Sequence, residues 1–188
     1  MKKKVRTIIL AMMSVFLLPS VGSAEDNDAP EFLIFGMPLS QQVERLSAPE
    51  FRRYQTALAK FQHVDGCVAD TGGEPRYGSS LMRWNHLNTL EKVNVCVFLL
   101  AAKLNNPEQM ANWFNLNGFK ATLIENKSSS MRFYNRDDDG VLVSAGAPIS
   151  GPIRVGFLDR LLAHSVSVGV TFSSDGEPLD VNTTITRK

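Results

Sequence analysis

The stretch Asn88-Thr-Leu-Glu-Lys-Val-Asn-Val-Cys-Val-Phe-Leu-Leu-Ala-Ala-Lys-Leu104 decides how the rest of the chain is read. Leu90, Val93, Val97, Leu100, Ala101 and Leu104 recur at three- and four-residue spacing, which places them on one face of a helix. Phe98 and Leu99 widen that face, so most of the helix is expected to be buried. Asn88 suits the N-cap, and Glu91 stands three residues later, where a capping box has its carboxylate. Cys96 lies in the middle of the helix, and Cys67 is the only other cysteine.

The N-terminus bears on how those cysteines behave. Lys2, Lys3, Lys4 and Arg6 form a basic head, Thr7 to Leu18 carries no charge, and Gly22-Ser23-Ala24 offers small residues for cleavage. This order reads as a secretory signal peptide over residues 1–24, of the bacterial kind, followed by one exported domain over 25–188. The apolar run holds 12 residues, whereas a membrane span needs about 20. The destination is therefore expected to be the periplasm or the exterior, with no membrane span after cleavage. In such a compartment Cys67 and Cys96 are expected to form a disulfide. Closing that loop restricts the unfolded chain by about 3.5 kcal/mol in the chain-entropy account. A redox-active thiol is disfavoured, because an apolar helix disfavours a thiolate at Cys96.

Removing 24 of the 188 residues leaves 164, enough for one domain with a full core. The leader holds four of the 20 Lys and Arg and none of the 19 Asp and Glu, which leaves 16 against 19 and a net charge near −3. A mixed, mildly acidic surface argues against nucleic acid as a partner.

Several elements flank the central helix. Ser47 with Pro49 and Glu50 opens a helix from Ala48 to His63, striped by Phe51, Tyr54, Leu58 and Phe61. Ser40 to Leu46 reads as a short helix, and Phe32 to Phe35 as an edge strand or a lead into it. Asn106 and Pro107 start another helix, with Met110, Trp113, Phe114 and Leu116 on its apolar side and Gly118 as its left-handed stop. Phe119–Glu125, Met131–Tyr134 and Val141–Ala145 read as an antiparallel meander, Gly146–Pro152 as a linker, and Pro152 to Ala163 as a further helix. The plainest β signal comes last. Val166, Val168, Val170 and Phe172, then Leu179, Val181, Thr183 and Ile185, alternate with other residues around Ser-Ser-Asp-Gly. The fold class expected is α+β: three or four helices on one face of a mainly antiparallel sheet of about five strands, with one disulfide.

Chemistry-bearing patterns are sparse. Asn135 to Gly140 matches the first half of a calcium loop, but its twelfth position is Gly146 and no Asp or Glu lies between Val141 and Gly151. An acidic hairpin turn is the better reading. His63, His86 and His164 show no metal-ligand spacing, and no nucleophile elbow occurs after the leader. No cofactor or metal is expected. Between Asp70 and Ser80 the chain is rich in turn residues, and Arg76, Tyr77, Arg83 and Trp84 stand in or beside it. Those residue types dominate binding hot spots. The expected function is a periplasmic or secreted protein-binding module, such as an inhibitor, an immunity factor or an accessory part of an envelope machine. Its partner would be another envelope or secreted protein. The alternatives are an envelope hydrolase using paired carboxylates on cell-wall or glycan substrates, and a small-ligand carrier. The oligomeric state is not readable from the chain. Mass spectrometry of the exported protein should give an N-terminus at Glu25, and a thiol titration should find no free sulfhydryl; two titratable thiols would exclude the disulfide.

Overall fold

A computed structural model describes residues 30–69, 76–126, 140–148 and 163–187. Within them the chain is α+β, with three α-helices, a two-stranded and a four-stranded antiparallel sheet, and a disulfide between Cys67 and Cys96. The expected sheet of about five strands is thus replaced, among the described residues, by four strands and a separate small hairpin.

Helix α1 (Ala48–Lys60) begins as its sequence dictates: the Ser47 hydroxyl accepts from the Glu50 N–H at 3.4 Å. It ends at Lys60, short of His63, with the Phe61 N–H bonded back to Ala57. Helix α2 (Leu90–Leu104) is capped by Thr89 and not by Asn88. The Thr89 hydroxyl accepts from the Lys92 N–H, while the Asn88 carbonyl oxygen accepts from the Lys92 ammonium at 2.7 Å. Ten residues of α2 are buried, from Glu91 through Ala101 with Lys92 partly exposed, as expected of a helix apolar on nearly all sides. Asn105, left-handed at φ 46°, stops it, and Asn106 caps helix α3 (Pro107–Leu116) by accepting from the Gln109 N–H.

The first strands, β1 (Leu33–Ile34) and β2 (Met37–Pro38), form a tight hairpin with Phe35 and Gly36 at positive φ, the primed geometry that matches strand twist. The residues from Ser40 to Leu46 do not form the expected helix; one turn of 3-10 helix covers Leu39–Gln41. The Gln42 amide reaches back to the Ile34 carbonyl at 2.7 Å, leaving its own oxygen buried without a partner.

The main sheet runs in the order β3 (Lys120–Asn126), β4 (Gly140–Pro148), β5 (Ala163–Phe172), β6 (Pro178–Arg187). β3 pairs directly with β4, Leu123 opposite Val143, so no third strand intervenes. Met131–Tyr134, the acidic Asn135–Asp139 segment and the body of the expected Pro152–Ala163 helix lie outside the described residues, though Ala163 itself opens β5. β4 also absorbs the start of the expected linker: Gly146, Ala147 and Pro148 are paired with β5. Pro148 is tolerated because it lies beyond the start of β3 and has only β5 beside it.

Alternation sorts the two faces. Val143, Ala145, Ala147, Val166, Val168, Val170, Phe172 and Val181 are buried under the helices. Ser144, Gly146, Ser167, Gly169, Asn182 and Thr184 line the opposite face. α2 lies over β6, α3 over β3 and β4, and α1 over α2. The β5–β6 turn closes on Gly176, at φ +85°, where an added Cβ would stand 2.7 Å from the Asn105 carbonyl oxygen. Only glycine meets both conditions.

A buried polar chain ties the layers. The Asn94 amide on α2 donates to the Tyr54 hydroxyl of α1 at 2.8 Å, and the Thr183 hydroxyl of β6 donates to the Asn94 carbonyl oxygen at 2.6 Å. Removing Asn94 strands both hydroxyls. Asn94→Ala should therefore destabilise the fold by about 2–4 kcal/mol in urea denaturation; a loss below about 0.5 kcal/mol would mean the chain of bonds carries no weight.

Candidate functional site

The loop between α1 and α2 is built around its neck. Val68 and Met82 form an antiparallel bridge; the Ala69 N–H bonds the Leu81 carbonyl at 2.7 Å and the Arg83 N–H bonds the Cys67 carbonyl at 2.9 Å. Cys67 is fully buried and linked to Cys96 in the middle of α2. From the other side, Trp113 of α3 donates its indole N–H to the Ser80 backbone carbonyl at 2.8 Å, and the Asn117 side-chain oxygen Oδ1 accepts from the Met82 N–H at 3.0 Å. The neck is thus held by a covalent bond to one helix and by hydrogen bonds to another. The Asp70–Ser80 segment is described from Arg76 onward.

Period-two alternation at the bridge decides which side chains face out. Met82 is buried, so its neighbour Leu81 points to solvent and is 56% exposed. Leu116, expected on the apolar side of α3, is instead 60% exposed. Because Met82 and Asn117 are bonded, Leu81 and Leu116 stand one residue to either side of the same junction.

The four residues singled out in the sequence have different partners. Arg76 is exposed, and its carbonyl accepts from the Ser80 hydroxyl at 3.0 Å. Tyr77 is half-buried at the end of α2. Its hydroxyl donates to the Asp65 carboxylate at 2.7 Å, and the Lys103 ammonium lies 5.6 Å from its ring centre. Trp84 sits farther along, half-buried against Phe119 at 5.5 Å and Trp113 at 6.1 Å between ring centres. Arg83 is half-buried beside it. The two pairs therefore flank Ser80 and Leu81 from either side of the neck. Both aromatic residues also pack against the core.

Asp65, Lys103, Leu81 and Asn117 were not singled out as site residues in the sequence, and Leu116 was assigned to the buried side of α3. A Leu-Met pair carries no period, so nothing in it says which residue faces in.

Among the described residues no group of three or more His, Cys, Asp or Glu side chains is arranged to hold a metal ion, and no helix is long and apolar enough to cross a membrane. The fold and this surface together define a disulfide-linked α+β protein with a pinned, partly apolar loop. No protein-family model, curated protein or solved structure matches the chain.

Partial burial first, then the hydrogen bond to Asp65 and its negative charge, push the Tyr77 hydroxyl up to about 12. Burial does the same to Tyr54, also to about 12, against the opposing bond from Asn94. Free tyrosine titrates near 10, so the folded state favours the neutral phenol. That contribution to stability is complete below about pH 10 and is lost as the pH rises through about 12. In a spectrophotometric titration, the difference between native protein and Tyr77→Phe should show one phenol ionising near pH 12, and Asp65→Asn should move that step toward 10. A Tyr77 step near 10 in the native protein would break the link to Asp65.

Proposed function

We propose that the chain is an exported protein-binding module, acting as an inhibitor, an immunity factor or an accessory component of an envelope machine. Its contact surface is centred on Leu81, between Arg76 and Tyr77 on one side and Arg83 and Trp84 on the other. The basic, apolar and small-residue order of residues 1–24 supports export. The buried Cys67–Cys96 bond fits an oxidising compartment.

The observation that carries the binding reading is the exposure of Leu81 on a neck that is bonded on both sides. A large apolar side chain held out by fixed backbone is already ordered, so a partner that covers it gains apolar burial without the cost of freezing the loop. Leu116, also exposed, precedes the Asn117 that bonds the neck, and arginine and tyrosine can supply directed hydrogen bonds at the rim. Trp84, whose ring packs against Trp113 and Phe119, lies at the rim of this surface, and Leu81 at its centre.

The test is affinity capture of the mature, oxidised protein from an envelope extract of its own source, run in parallel with Leu81→Asp and Arg76→Glu. Both positions are exposed, so both variants should keep the native circular dichroism and thermal midpoint. A stoichiometric protein recovered by the native form should be lost with Leu81→Asp, and calorimetry with that protein should show affinity weakened about tenfold or more. Equal recovery by all three forms would remove this surface from the interaction.

A further inference from the structure

A second feature begins at the end of α3, where the chain enters β3. Among the described residues, β3 is an edge strand of the main sheet. Its backbone parity follows from one bond: the Ala121 N–H donates to the Asn115 side-chain oxygen at 3.1 Å, and so faces away from β4. In an antiparallel pair the outward groups recur at every second residue, which puts the N–H and C=O of Ala121, Leu123 and Glu125 on the open side. The opposite edge agrees with this parity, since the Leu179 carbonyl of β6 faces outward to accept from the Gly36 N–H at 2.9 Å. Asn115 closes the Ala121 position. The outward groups of Leu123 and Glu125 have no partner among the described residues. Natural proteins blunt an open edge with charge, proline or a bulge; here Lys120 and Glu125 are charged, but the residues between them include two exposed aliphatic side chains. Leu123 is 45% exposed and Ile124 is 47% exposed, one on each face of the sheet.

We propose that a second copy of this chain pairs with β3, antiparallel, across a two-fold axis at Ile124. A two-fold axis perpendicular to the sheet keeps each face continuous, so directly opposed residues must share a face. That leaves registers centred on Thr122, Leu123, Ile124 or Glu125, of which the last sets two Glu125 carboxylates directly opposite and runs past the described residues. The first two require the Ala121 backbone, which Asn115 already holds. Only the register centred on Ile124 uses the open groups alone: Leu123 of each copy exchanges both backbone bonds with Glu125 of the other. Ile124 then faces Ile124 in a non-bonded pair, where side chains approach most closely. The aliphatic stem of Glu125 lies beside Leu123 of the other copy. Both exposed apolar side chains of β3 are covered at once, and no like charges stand directly opposed. The junction falls below the roughly 1,000 Å² of a durable interface, so the association is weak and concentration-dependent.

The experiment uses the full mature, oxidised protein. No cysteine is free in the described structure, so Ile124→Cys supplies a unique thiol on the proposed axis. Mild oxidation should convert it to a covalent dimer much faster than Leu123→Cys, whose position faces Glu125 of the other copy. Sedimentation over about a thousandfold concentration range should show reversible dimerisation of the native protein. Leu123→Pro should abolish it while keeping the native circular dichroism, because the N–H removed does not serve the β3–β4 ladder. Amide exchange at Leu123 and Glu125 should slow as concentration rises. A monomer at every concentration, equal cross-linking at 123 and 124, or exchange protection independent of concentration would overturn the proposal; the last would assign this edge to other residues of the same chain. Leu81→Asp leaves the self-association unchanged, so this inference and the loop surface fail separately.

Discussion

A helix buried on nearly all sides has no wet face, so each polar group along it must find its partner inside the protein. α2 is such a helix, and the rest of the fold follows from meeting that requirement. Glu91, near its start, receives the Arg53 guanidinium of α1 at 2.6 Å. One turn on, Asn94 receives the Thr183 hydroxyl and donates to Tyr54. Two of these bonds join α2 to α1 and the third joins it to β6, so the polar residues that cost most to bury also set how α1 and β6 lie against it. An all-apolar α2 would bury as well, but with less to specify its rotation.

The disulfide extends the same logic to a loop. Cys96 occupies a position where a thiol would simply be a small apolar side chain. Bonded to Cys67, it fixes the chain leaving α1 against the one element that cannot move without opening the core. The Val68–Met82 bridge then carries that constraint to Leu81. The loop's exposed apolar residue is held out by a chain of restraints that begins in the centre of the protein, which gives it little freedom to fold back and cover itself.

How much of this was legible follows from the kind of signal each element carries. The β5–β6 hairpin was plain, because strict alternation of valines against serines, threonines and glycine has no helical reading. α1 and α3 announced their first turns through Ser47–Pro49–Glu50 and Asn106–Pro107. The start of α2 slipped by one residue, since Asn88 and Thr89 are both good caps and an apolar period does not settle phase at a helix end. The linker expected from Gly146 was part of β4, because small residues and proline are also tolerated on a polar sheet face at a strand end. Arg76, Tyr77, Arg83 and Trp84 were visible by type, but their division into two pairs depended on backbone bonds to Cys67 and Asn117 that no local pattern encodes. Leu81 was invisible for the same reason.

The last turn of α3 is where the two surfaces are kept apart. Asn115 and Asn117 stand two residues apart, too close to share a helical face, and their side chains serve different strangers. Asn115 accepts from Ala121 at the start of β3, while Asn117 accepts from Met82 in the loop neck. Each amide occupies a backbone donor that would otherwise be left open, one at a sheet edge and one beside an exposed leucine. Leu116 projects between them. The turn therefore ends strand pairing at Ala121 on one side and anchors the loop on the other. An edge that is closed at Ala121 and, among the described residues, open at Leu123 and Glu125 limits any added strand to a short register. The two proposed surfaces thus meet α3 at different side chains, the β3 edge at Asn115 and the neck beside Leu81 at Asn117.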